Sequence, residues 1–115
     1  MTPRQTIEKW VEAFNNADTQ TLESLYAEDA VNHQMPNDPV NGKDAIGKMF
    51  RDEFAVAPDM HCIPVQVIEE GEWAVLEWQD PKGFRGCGFF HVKNSLIHTQ
   101  RGYWDKLSFK KLYEL

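Results

Sequence analysis

The stretch Phe84–Asp105, FRGCGFFHVKNSLIHTQRGYWD, constrains the fold more than any other part of the chain. It reads as two β-rich runs of about ten residues joined at a polar turn, Lys93-Asn94-Ser95. Phe84, Phe89, Phe90, Val92, Ile97, Thr99, Tyr103 and Trp104 suit a pleated surface. Gly86, Gly88 and Gly102 interrupt the arms, and glycine inside a strand marks a bulge, a bend or a close approach. A long apolar hairpin broken in this way predicts a curved sheet wrapped around a volume. The expectation is a protein that holds something small.

Upstream, the chain opens with helices. Thr2-Pro3-Arg4-Gln5 combines an N-cap, a proline at the first helical position and a capping-box glutamine. Ile7, Trp10, Val11 and Phe14 then recur at helical spacing. Asp18 caps a second, short helix carrying Leu22, Leu25 and Tyr26. Ala30–Met35 reads as a first strand and Pro36–Gly42 as a loop. A third helix carries Ile46, Met49, Phe50 and Phe54, and ends before Pro58. Strands follow: Met60–Glu69, with Pro64 confining it to an edge or a bulge, then Trp73–Gln79 after a turn at Gly71. Lys106–Leu115 is an amphipathic tail, helical or extended. Helices first and strands afterward predict an α+β domain spanning residues 1–115, with the helices on one face of an antiparallel sheet.

Charge and composition narrow the function. A net charge of −6 argues against nucleic acid, which needs a basic footprint. No apolar run is long enough for a membrane span, and the polar opening MTPRQTIEKW is not a leader sequence. Cys62 and Cys87 stand apart without CxxC spacing, which suits reduced core thiols in a cytoplasmic protein.

Five segments also resemble the SnoaL-like branch of the nuclear transport factor 2-like superfamily. They are YAEDAVNH at Tyr26–His33, VNGKDAIGKMF at Val40–Phe50, APDM at Ala57–Met60, VIEEGEWAVLEW at Val67–Trp78 and IHTQRGYWD at Ile97–Asp105. The resemblance implies a cone: a strongly bent antiparallel sheet closed by three helices, with an apolar cavity at its open end. The superfamily includes ketosteroid isomerase, polyketide cyclases, limonene epoxide hydrolase and members without a reaction, so the fold alone does not fix the chemistry.

With a three-residue hairpin loop, the resemblance and strand alternation turn Gln100, Gly102 and Trp104 inward, opposite Gly86, Gly88, Phe90 and Val92. Leu76, Trp78 and Asp80 face the same volume from the preceding strand, Trp10 and Tyr26 from the helices, and His33 from the first strand, near Trp104. The ligand-binding set is therefore Trp10, Tyr26, Trp78, Phe90, Gln100 and Trp104, which suits a small apolar, cyclic molecule. A two-residue loop at Asn94-Ser95 would instead set His91 directly across from His98. Two histidines without a third ligand make a poor metal site, and neither metal nor cofactor is expected.

His33 is the first catalytic candidate. Counted back from Gly42, it falls where ketosteroid isomerase carries its catalytic aspartate; counted forward from Tyr26, that place falls on Gln34. A desolvated imidazole stays neutral and accepts a proton, as a general base must. The alternative is a half-exposed histidine bonded to a loop carbonyl. Asp105 is the second candidate, matching the late aspartate of the polyketide cyclases, although its parity points away from the cavity and suits a helix cap. The isomerase's two oxyanion groups fall on Trp10 and Gly88. Gly102 and Trp78 replace an aspartate and an arginine of limonene epoxide hydrolase, so epoxide hydrolysis is not expected.

Two function classes follow. One is a cofactor-independent lyase, isomerase or cyclase with His33 as base; the other is a non-catalytic ligand-binding or assembly module. The outward parity of the hairpin, with Phe89, Ile97, Tyr103 and Val75 edged by Arg101 and Glu77, predicts a homodimer through the outer sheet face.

Overall fold

Three of the four helices begin where a side chain satisfies a free N–H group, and the third starts at Gly42 without one. In the computed structural model, which describes residues 1–115, α1 (Pro3–Asn15) starts with a closed capping box. Gln5 N donates to Thr2 Oγ1 at 3.1 Å, and Thr2 N donates to Gln5 Oε1 at 3.0 Å. Asp18 caps α2 (Thr19–Ser24), and its hydrogen bonds from Thr21 hold its carboxyl below the usual carboxylate range. The rest of the chain runs β1 (Tyr26–Gln34), β2 (Val40–Asn41), α3 (Lys43–Val56), β3 (Ile63–Glu70), β4 (Trp73–Gln79), β5 (Arg85–Lys93), β6 (Leu96–Trp104) and α4 (Lys106–Tyr113). The α+β class is therefore present, with the tail resolved as a fourth helix.

The six strands form one curled, unclosed sheet in the order β2-β1-β6-β5-β4-β3. All neighbouring pairs are antiparallel except β1 with β6, which is parallel. Helices α1 and α3 fill the concave side. Ile7, Trp10, Phe50, Leu76, Phe90 and Ile97 meet there in one apolar core. Trp10 anchors it, stacking on Phe14 at 5.1 Å and meeting Phe90 edge-on at 5.5 Å. Aromatic pairs of this kind add about 0.5–1.5 kcal/mol each beyond the area they bury. No helix is long and apolar enough to cross a membrane.

Several local expectations change. Tyr26 opens β1 rather than closing α2, because the chain turns at Leu25 and pairs Tyr26 with Ile97. The stretch from Met60 to Cys62 is not strand, and β3 begins at Ile63. Pro64 behaves as expected, on an edge strand with a register shift between Pro64 and Gln66.

The hairpin loop is the two-residue one. Lys93 pairs with Leu96, and Asn94 and Ser95 both have positive φ (54° and 65°), the backbone of a tight hairpin turn. His91 nevertheless is not paired with His98, although their rings lie 6.0 Å apart. A register shift after Val92–Ile97 leaves His98 as the extra residue, and His91 pairs with Thr99. The shift turns Ile97 into the core, where it is 0% exposed, so it is not part of the outer face.

Candidate functional site

The concave face leaves a cavity of about 370 Å³ between the sheet, α3 and α4. This falls within the range of about 300–1,000 Å³ common to small-molecule sites. Register places its floor. Phe90 pairs with Gln100, Gly88 with Gly102 and Gly86 with Trp104, and all but Gly86 line the cavity. Trp10 and Trp78 line it as well, so the indoles wall the space without plugging it.

Small residues make room for large ones here. A Cβ at Gly86 would lie 2.4 Å from the Trp78 ring, and one at Gly102 would lie 1.9 Å from Gln34 Oε1. The sheet thus gives up side chains at these points so that Trp78 and Gln34 can lie flat against it.

A chain of hydrogen bonds runs behind the floor, and Tyr26, expected among the ligand-binding residues, belongs to it: Tyr26 is fully buried and does not line the cavity. Trp10 Nε1 donates to the Tyr26 hydroxyl at 3.0 Å, and that hydroxyl donates to Gln100 Oε1. Asn32 Nδ2 donates to the same oxygen at 3.1 Å. Gln34 Nε2 donates to Asn32 Oδ1 at 2.7 Å, and Trp104 Nε1 to Gln34 Oε1 at 2.8 Å. Tyr26 and Asn32 are fully buried, and burial raises the Tyr26 phenol above its ordinary range. Every member of this chain is neutral near pH 7, so it orders the floor and supplies no charge. Gln100, only 5% exposed, spends its oxygen on two donors and leaves its amide nitrogen without a protein partner at the cavity wall.

The catalytic expectations do not reach this space. Within β1 the inward side chains are Ala30, Asn32 and Gln34, and His33 lies on the opposite face in register with Arg101. Its Nε2 donates to the Asn37 carbonyl at 3.1 Å, and it does not line the cavity. Of the two positions read from the sequence, Gln34 is the one beside Trp104. Asp105 is exposed and caps α4, accepting from Ser108 N at 2.9 Å and Ser108 Oγ at 2.6 Å. Those bonds lower its pKa and turn it away from the cavity. Asp80 borders the cavity, but its oxygens accept from Lys82 N, Phe84 N and the Tyr113 hydroxyl. It fastens the β4–β5 loop and α4, and it has no free acceptor role.

Two further groups line the wall: Cys62, a free core thiol as expected, and Glu53, which the sequence reading does not single out. Cys62 is buried at the wall, and desolvation pushes its thiol up to about 12, so it is unreactive at neutral pH. Glu53, on α3, lines the cavity three residues after Phe50 and so projects from the same helix face. Burial alone raises its pKa to about 7. No lysine, arginine or histidine forms an ion pair with it. A charged residue inside the apolar stripe Ile46, Met49, Phe50, Phe54 was the available signal.

A nuclear transport factor 2-like protein of unknown function from Burkholderia pseudomallei superposes with a TM-score of 0.82 at 19% identity, covering 98% of each chain. An uncharacterized cystatin-fold protein from Novosphingobium aromaticivorans gives 0.78 at 17%, covering 89% of this chain and 97% of that one. An LEH-like epoxide hydrolase from M. tuberculosis gives 0.76 at 18%, covering 96% and 87%. At such identities the likeness is one of fold. No curated protein matches the chain. The family model for the SnoaL-like domain matches residues 7–99, and the chain belongs to the SnoaL-like domain family.

Proposed function

We propose that this protein binds a small apolar molecule in the aromatic cavity, and that the molecule presents a hydrogen-bond acceptor to Gln100. The observation that carries this reading is the Gln100 amide nitrogen, which has no partner in the protein and opens onto an otherwise apolar space. An occupant that strips water from this donor without accepting from it leaves it unsatisfied, at about 1–3 kcal/mol, so an occupant that accepts gains over one that does not. Trp10, Phe90 and Trp104 supply flat apolar surface beside it. A lyase, isomerase or cyclase based on His33 lacks that base in the cavity, and binding is the reading the site supports best.

Cyclohexanone and its isostere methylenecyclohexane test it, with calorimetry and tryptophan fluorescence as readouts. Both should bind, and the ketone should bind about fivefold tighter, the worth of one net hydrogen bond of about 1 kcal/mol. Failure of either probe to perturb the indoles or release heat at millimolar concentration would sink the reading.

A further inference from the structure

The cavity contains one feature that a neutral ligand leaves unanswered. Glu53 stands on its wall with no hydrogen bond and no ion pair from the protein. Glu53 is half-buried, and a carboxylate that has lost part of its water without gaining a partner is costly; proteins compensate it with a cation or lose its charge. Around it are aromatic faces, which also attract cations: Phe50 on its own helix, and Trp10 and Phe14 from α1, packed against Phe50 at 6.2 and 6.4 Å. The net charge of −6 favours approach of a cation over an anion.

We propose that the occupant of this cavity carries a protonated amine on an apolar body, with Glu53 as its counter-ion. The inference rests on the apolar-ligand reading above and names the ligand's charge. The ammonium pairs with the Glu53 carboxylate against the aromatic rings. The apolar body fills the space toward Phe90 and Trp78.

The other ionisable groups around the cavity do not take this role. Asp52 lies one residue away on α3 and pairs with Lys48 at 2.7 Å. Asp80 is engaged by Tyr113 and by backbone N–H groups. Burial raises both Tyr26 and Cys62, which keeps them neutral. On α4, Lys106 donates to the Pro36 carbonyl at 3.3 Å, and Lys110 lines the cavity without an ion pair to any carboxylate. His61 is exposed on the segment before β3. None of these cations lies within ion-pair distance of Glu53.

Cyclohexylmethylamine and cyclohexylmethanol share a shape and differ in charge, since an alkylamine with a pKa of about 10 is protonated throughout the range used. Calorimetry with the wild-type protein should show the amine binding at least about tenfold tighter than the alcohol at pH 8. A site whose carboxyl titrates at about 7 should bind the amine about tenfold more weakly at pH 6, with proton release on binding. The alcohol should show neither change. Glu53→Gln should abolish both the preference and the pH response. A pH response that survives Glu53→Gln belongs to His61 and overturns the assignment. Equal binding of the two probes overturns the amine and leaves the apolar-ligand reading standing; binding of neither overturns both.

Discussion

Trp104 Nε1 donates to Gln34 Oε1 at 2.8 Å, across a gap that exists because Gly102 carries no side chain. Strand pairing brings Gln34 and Gly102 into register on the parallel β1–β6 pair. The Gln34 amide therefore lies over Gly102 and links the Trp104 indole to the buried Asn32. One glycine thus fixes the end of the polar chain that floors the cavity.

Gly102→Ala follows directly. The new methyl would sit 1.9 Å from Gln34 Oε1, so the amide must move. Moving the end of a flexible side chain is sterically cheap, and the cost comes from the bonds to Trp104 and Asn32. Loss of these should destabilise the protein by about 1–3 kcal/mol. Urea unfolding of Gly102→Ala, Gln34→Ala and the double variant checks the cause. The double variant should cost little more than Gln34→Ala alone. Simple additivity would show that Gly102 matters for another reason.

The same residues show what the sequence could reveal. Gln100, Gly102 and Trp104 face inward as expected, although the turn is one residue shorter than that expectation assumes. The extra residue expected in the turn is present instead as the bulge at His98, and both leave the same parity below it. Only residues between turn and bulge were displaced, which is why Ile97 was placed outside and lies in the core. His33 and Gln34 were separable only by choosing a side from which to count. The bend after Leu25 makes Tyr26 the first strand residue, and counting forward from it reaches Gln34. Glu53 is legible only as a charge inside the apolar stripe of KDAIGKMFRDEFAV, and the helix's other carboxylates obscure that signal.

Glu53 should also set how stability responds to pH. Its folded value of about 7 lies above the ordinary 4.5. Between these limits the folded protein holds a proton that the unfolded chain has lost. Stability therefore falls as pH rises through this interval, and the full penalty remains above pH 7. Glu53→Gln removes it. At about 1.4 kcal/mol per unit, reduced because the side chain keeps part of its water, the variant should be more stable by about 2 kcal/mol at pH 8. The gain should shrink toward zero at pH 4.5. Denaturant midpoints at the two values test this, and an equal gain at both would mean the carboxyl is not desolvated.

The outer sheet face carries the remaining prediction. Arg101 lies over Trp73 at 4.8 Å and over Phe89 at 5.2 Å, and Phe89 meets Tyr103 edge-on at 5.8 Å. Val75 pairs with Phe89 on one side and with Ile68 on the other, extending the same surface to the edge strand. Tyr103 remains 42% exposed and Ile68 52%. Such a patch has the aromatic and arginine character of an interface core, with Glu77 at its margin. We propose that two copies pair back to back through it. Two-fold symmetry would then let Arg101 of each chain meet Glu77 of the other. Light scattering at micromolar concentration should give twice the chain mass. Tyr103→Glu, which buries a charge at the centre of the patch, should give the monomer while leaving the cavity's response to cyclohexanone intact. A monomeric wild-type protein would show that this face serves something other than a second copy.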